Sequence, residues 1–135
     1  MIPYRQIIEE MKASIETRFP TLQVFAGHKM AVARYPSCGV TFSPAREKPQ
    51  TIGGGKTKTL GVTLSVMVKE LTGKENGYLA LTDLVSEVED AIREPDFLES
   101  YTAVLVETEF VKNPVYLDNT FIVQAQLSLQ IELNI

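Results

Sequence analysis

The stretch NTFIVQAQLSLQIEL (residues 119–133) alternates between apolar and polar side chains more strictly than any other part of the chain. Its odd-numbered positions from Phe121 to Leu133 are all apolar, and its even-numbered positions are polar except for Ile122. Successive side chains of a β-strand point to opposite faces of a sheet, so this period of two predicts a long strand with one buried face and one wetter face. We therefore expect the odd-numbered positions to belong to the core.

The remaining chain contains two helical and four further strand patterns. Apolar residues three and four positions apart predict two amphipathic helices, with Pro3 in the first turn of one and Thr82 as the N-cap of the other. Pro36 lies within a predicted strand and therefore belongs at a sheet edge or a bulge. The expected elements are helix 3–18, strands 22–26 and 31–42, a loop at 43–59, strand 60–69, helix 82–93, and strands 101–111 and 119–133.

The order α-β-β-loop-β-α-β-β predicts an α+β fold. We expect a two-layer sandwich in which the two amphipathic helices cover one face of a mainly antiparallel sheet, with the last two strands forming a hairpin. In strand 101–111, Val104, Val106 and Phe110 are expected on one face, and Glu107 and Glu109 are expected to be exposed on the other. At 135 residues the chain is expected to be one domain, residues 1–135.

Composition excludes several classes of function. A net charge of -4 and a pI near 5.0 argue against a dedicated nucleic-acid binder, although not against a protein past which DNA slides. No apolar run approaches the length of a membrane span, so no membrane partner is expected. Cys38 is the only cysteine, which indicates a reducing compartment, and its apolar flanks predict a buried, inert thiol.

No motif supports catalysis, a cofactor or a metal. The segment Gly53–Thr57 looks like a phosphate loop, but Gln50 stands where that loop needs glycine, and a strand follows instead of a helix. His28 is the only histidine and has no Cys or His beside it at ligand spacing. Carboxylates of the second helix are expected on its solvated face, away from the apolar stripe. These carboxylates are Asp83, Glu87, Glu89 and Asp90.

The predicted loop at 43–59 is basic, whereas the rest of the chain is acidic. Four basic residues against Glu47 give +3 for these 17 positions, which leaves -4 minus +3, or -7, for the remainder. Two prolines and three consecutive glycines predict a long flexible loop. A basic arm on an acidic body suits contact with an acidic partner, and the alternative is a solvated connector. The candidate partner-binding residues are Arg46, Lys48, Lys56 and Lys58.

Several segments together resemble a known family. The opening helix begins Ile2-Pro3-Tyr4-Arg5-Gln6-Ile7-Ile8 and ends in Arg18-Phe19-Pro20, and a Tyr35-Pro36 pair leads into a strand. The helix segment Leu84–Ile92 precedes two long terminal strands. This pattern, over nearly the whole chain, resembles the tail terminator (tail completion) proteins of tailed bacteriophages and of phage-tail-like particles.

The resemblance implies a structural protein of the virion tail that assembles in the cytoplasm of a bacterial host. Members of the family form a homohexameric ring that caps the head-proximal end of the tail tube, stops its polymerisation and offers a surface to head-completion or connector proteins. The implied partners are other copies of the chain, the tail tube protein and the head-completion proteins, with DNA only as passing cargo. No catalytic residue and no cofactor is implied.

Two alternatives from other classes remain open at the level of sequence. The chain could be a small non-enzymatic binding module or tail-assembly chaperone that acts as a monomer or dimer. It could also be an enzyme that uses the carboxylates of its second helix, although these form no convergent set.

Overall fold

The computed structural model describes residues 2–27, 35–49, 56–70, 74–111, 115–117 and 120–134. Only the backbone is described for residues 44–49, 56–58, 70, 74–75, 115–117, 120 and 134. Within these ranges the chain forms two α-helices and six β-strands. In chain order they are α1 (Tyr4–Arg18), β1 (Gln23–Ala26), β2 (Ser37–Pro49), β3 (Lys56–Glu70), α2 (Lys74–Arg93), β4 (Ala103–Phe110), β5 (Val115–Leu117) and β6 (Thr120–Asn134).

The strands form one mainly antiparallel sheet with the order β1-β2-β3-β6-β4. The two 15-residue strands, β3 and β6, lie side by side at its centre and pair from Thr57 with Asn134 to Glu70 with Phe121. The four-residue β1 is parallel to β2 at one flank, and β4 pairs with β6 at the other. The predicted α+β fold with a mainly antiparallel sheet is therefore confirmed.

Both helices pack on the same face of the sheet. α1 buries Ile7, Met11 and Ile15, which are spaced four residues apart and so form one stripe of the helix. α2 contributes a second buried stripe to the same apolar cluster. The sheet supplies alternate positions of β3 and β6. In β6 these are the odd-numbered positions predicted to belong to the core, except that Phe121, at its start, is 39% exposed. The buried residues of these two strands in the cluster are Leu60, Val62, Leu64, Val66, Ala125, Leu127, Leu129 and Ile131.

The opposite face of the sheet is mostly polar but also has buried apolar side chains. Phe25 of β1 is 5% exposed, and its ring lies so close to Gly39 that a Cβ there would stand 2.8 Å from Phe25 Cε2. Glycine at position 39 therefore allows the ring to lie against the strand. Ile122, the apolar exception in the alternation of β6, is 3% exposed on this same face. The second face thus has buried apolar side chains in β1 and near the start of β6.

Helix α2 begins eight residues before the predicted start at residue 82. Thr82 is not its N-cap: it lies inside the helix, and its Oγ1 donates a hydrogen bond of 2.7 Å to the carbonyl oxygen of Leu79. The prediction was wrong because Asn76 and Gly77 have low helix propensity, whereas in the fold the ring of Tyr78 packs on that of Phe110, with the two centroids 6.0 Å apart. Tertiary packing therefore extends the helix beyond its most apolar segment.

The face assignment in β4 was also wrong. Its register against β6 shifts between Leu105 and Glu107, so Val106 is the extra residue of a bulge. The bulge reverses the alternation, and Leu105 and Phe110 pack against the core while Val104 and Val106 are 57% and 55% exposed. Glu107 and Glu109 are exposed, as expected.

Smaller differences concern the connections. The segment between the last two long strands, predicted to be a turn, contains β5, which pairs with the start of β6. Gly27, directly after β1, has φ of 87°, a left-handed conformation that favours glycine. His28 and residues 31–34 of the predicted strand 31–42 lie outside the described residues. Pro36 directly precedes β2, where its carbonyl accepts a 3.1 Å hydrogen bond from the Gln23 amide.

Candidate functional site

The four candidate basic residues lie on paired strands rather than in a long loop. Residues 43–49 belong to β2 and residues 56–59 belong to β3, so the prediction of a flexible loop over 43–59 was wrong for these positions. Gln50 and residues 51–55, including the three glycines, lie outside the described residues. The segment is therefore a β-hairpin whose two arms reach at least to Pro49 and Lys56.

Two features of the backbone explain why this polar segment forms strands. Pro44 and Ala45 together oppose Leu60 in a bulge, which accommodates a proline within β2. Beyond the bulge, β3 pairs on its other side with the end of β6, for example Lys58 with Leu133. An arm that gains ladder hydrogen bonds on both sides forms a strand even when its residues have modest β-propensity.

The hairpin places its basic residues at separate register positions. Arg46 and Lys48 pair with Thr59 and Thr57, whereas Lys56 and Lys58 pair with Pro49 and Glu47. The two pairs thus alternate along the ladder and lie on different strands. Arg46 and Lys48 are on β2, beyond Val40, which is the last residue of β2 that pairs with β1. Lys56 and Lys58 are on the interior strand β3.

The opposite end of the sheet has a different chemistry. Tyr78 and Leu79 in the first turns of α2 are 45% and 53% exposed, and Phe121 at the start of β6 is 39% exposed. The central pair of strands spans 14 register pairs from the hairpin to Phe121, or about 45 Å at ~3.4 Å per residue. We call residues Tyr78, Leu79 and Phe121 the apolar end and the arms 43–49 and 56–59 the basic hairpin.

The predicted solvated face of α2 is largely confirmed. Asp83, Glu87 and Asp90 are exposed, and Asp90 forms a 3.7 Å ion pair with Arg93. Glu89 differs, because its Oε2 accepts a 2.6 Å hydrogen bond from the hydroxyl of Thr108 and so ties the helix to β4. These carboxylates do not converge on one point.

The remaining candidates for chemistry are accounted for by packing. Cys38 is fully buried, and burial raises the pKa of its thiol from 9.0 to about 12, so the thiolate that a nucleophile needs does not form near neutral pH. Within the described ranges, no three His, Cys, Asp or Glu side chains are grouped in a way that could hold a metal ion. No helix in these ranges has the length and apolar character needed to span a membrane.

Sequence reasoning found the basic residues but missed the apolar end and the exposed valines of β4. Tyr78 and Leu79 of the apolar end lie in the turns of α2 before Thr82, and the residues of these turns indicate a helix only weakly. The exposure of Val104 and Val106 depends on the bulge, for which we find no signal in the alternation. Comparison of the sequence with models of protein families and with curated proteins gives no match.

Proposed function

We propose that this chain is a structural subunit of a phage tail, which forms a homohexameric ring at the head-proximal end of the tail tube. The ring stops tube polymerisation and provides the surface to which the head-completion proteins bind. DNA passes through the ring only as cargo, and assembly takes place in the cytoplasm of the bacterial host.

The observation that carries this proposal is the chemical difference between the two ends of the sheet. A capping ring binds a different partner on each side, and Phe121 of the apolar end lies about 45 Å along β3 and β6 from the basic hairpin. Basic groups suit an acidic surface on one partner, and exposed apolar side chains suit a surface that is buried on assembly. We assign the basic hairpin to the tail tube and the apolar end to the head-completion proteins.

The fold supports the same proposal. The chain has the α+β fold with a mainly antiparallel sheet that the sequence predicts. Both helices lie on one face, so neither helix occupies a flank of the sheet, and we infer that the flanks contact neighbouring subunits.

A clean deletion of the gene tests the proposal. We expect complete heads and tail components that fail to join, and tail tubes that are too long because nothing stops polymerisation. The wild-type gene supplied from a plasmid should restore both tail length and joining. Tails of normal length that are joined to heads in the deletion strain would refute the role.

Purified components provide a second test. Tube protein is allowed to polymerise with and without this chain, and tube lengths are measured by electron microscopy. Added chain should shorten the length distribution in proportion to its concentration and should be found at one tube end. The variant Gln126→Ala, which changes a half-buried residue midway along β6, serves as the matched positive control.

A further inference from the structure

The sheet face opposite the helices carries two exposed apolar side chains of β4, Val104 and Val106, which are 57% and 55% exposed. Val104 pairs with Gln130 of β6, so the two side chains lie on the same face. Val106 is the bulged residue, and Glu107, directly after it, pairs with Ser128 of the same face. Bulges re-aim side chains, and this one places Val106 and Glu107 side by side instead of on alternate faces.

A depression of about 280 Å³ lies beside Val106 on this face. It crosses the sheet, because its lining includes Ser43 of β2, Gly61 of β3 and Ser128 of β6. Glycine within a strand often marks a place where a ligand or another backbone approaches closely. A cavity of roughly 150 Å³ holds a benzene molecule, so the depression has room for an aliphatic side chain of a partner.

Exposed carboxylates lie on both sides of the two valines. Glu107 and Glu109 pair with Ser128 and Gln126, and Glu132 follows along the same face of β6. Glu132 and Glu109 therefore lie about 20 Å apart along the strands, at ~3.4 Å per residue. β4 and β6 contain no basic residue, and none of the three glutamates forms an ion pair with another described side chain.

The chemistry of this surface selects its occupant. Protein interfaces combine an apolar centre with a polar rim, and here the rim has three negative charges and no positive one. A complementary partner therefore has aliphatic side chains at its centre and basic side chains around them. The same three charges repel phosphate groups, which excludes a nucleic acid.

We propose that this surface docks a basic segment of a partner protein that has an aliphatic centre. We call it the valine face and define it by Val104, Val106, Glu107, Glu109 and Glu132. Aliphatic side chains of the segment cover the valines and enter the depression, and its basic side chains reach the glutamates on either side. The inference goes beyond the proposed ring and does not depend on it, because the basic hairpin and the apolar end have other partners.

Peptide binding to the full chain tests the proposal. The probe is a fluorescein-labelled peptide of three leucines with two lysines at each end, and the control peptide has serine in place of each leucine. At about 50 mM salt, fluorescence anisotropy should give a dissociation constant below about 1 mM for the leucine peptide and a value about fivefold higher or more for the serine peptide. Amide resonances that shift on binding should belong to the strands of the valine face.

Two sets of substitutions separate the apolar contact from the charges. Val106→Ser should weaken binding of the leucine peptide by about fivefold and leave the serine peptide nearly unaffected. Glu107→Gln with Glu109→Gln should weaken binding of both peptides by about threefold at 50 mM salt and by less at about 300 mM. The matched control is Asp83→Asn with Glu87→Asn, which removes the same charge from the exposed face of α2 and should leave both affinities unchanged.

Three results would overturn the valine face: no binding of the leucine peptide up to about 1 mM, equal affinities for the two peptides, or a loss in the α2 control as large as in the Glu107 and Glu109 variant. Circular dichroism melts check that every variant folds. Tail length in the deletion strain is a separate readout, because normal tails would refute the proposed function and leave peptide binding to the valine face as it is.

Discussion

Leu129 is the residue whose burial best represents the core. It lies on the central strand β6, pairs with Val62 and Leu105 on either side, and is 1% exposed. Leu129→Ala removes buried methyl groups and leaves a cavity, so it should lower the free energy of unfolding by about 2–5 kcal/mol. Chemical denaturation measures this loss. Its neighbour Gln130 is exposed on the other face, so Gln130→Ala should change stability by less than about 0.5 kcal/mol, and equal losses would contradict the face assignment.

Cys38 should make stability depend on pH in the alkaline range. In the unfolded chain the thiol ionises near 9.0, whereas burial keeps it protonated in the fold until about pH 12. Deprotonation therefore favours the unfolded state between these two values, and stability falls as pH rises. The wild type should lose up to about 1 kcal/mol per pH unit above pH 9 relative to Cys38→Ala, which lacks the group. Urea unfolding of both proteins from pH 8 to 10.5 measures the difference, and parallel pH profiles would contradict it.

Among the elements, β4 shows how one extra residue changes a whole strand. The bulge at Val106 turns Val104 to solvent and leaves Leu105 packed against the core. Val104→Lys should therefore change the stability of the monomer by less than about 0.5 kcal/mol, whereas Leu105→Lys buries part of a charged chain and should cost several-fold more. Thermal melts at low protein concentration, where copies do not associate, make the comparison. A larger loss for Val104→Lys would show that the alternation predicted from sequence holds after all.

At the scale of the whole molecule, the separation of the basic hairpin from the apolar end should separate two functions. Lys58 pairs with Glu47, so reversal of its charge would place two acidic groups opposite each other, and neutralisation is the cleaner change. Lys56→Gln with Lys58→Gln should weaken tube capping by about tenfold and leave head joining by preformed caps intact. Tyr78→Ser with Leu79→Ser should weaken head joining and leave tube capping intact. Capping assays and head-joining assays on both variants, across a range of salt, check this.

Reversal of all four charges of the basic hairpin tests its proposed contact with the tail tube. The quadruple variant should lose capping, because its acidic side chains would repel an acidic tube surface. The melting temperature of the monomer should fall by only a few degrees, because the one like-charged pair created on neighbouring strands, Glu47 opposite Lys58→Glu, costs about 1 kcal/mol or less. Full capping by this variant at physiological salt would show that the hairpin only connects β2 to β3.

The sequence alone determined the fold class, helix α1 and the buried positions of β3 and β6, except at the start of β6, where Phe121 is exposed and Ile122 is buried. In these elements the side chains repeat with the period of their own backbone, and that period is local information. It also determined that Cys38 is buried and that the acidic face of α2 is mostly exposed. A burial pattern that alternates without interruption for more than ten residues needs no knowledge of its neighbours.

Only the tertiary structure decided that the basic segment forms paired strands, where α2 begins, and which face of the sheet each side chain of β4 lies on. Residues 43–49 and 56–59 are polar and proline-containing, and they form strands because β3 gains partners on both sides. The turns of α2 before Thr82 are held by Tyr78 against Phe110, a residue more than 30 positions away. In β4 a single bulged residue inverted the alternation. In each case the deciding energy comes from a partner distant in sequence, which no local pattern contains.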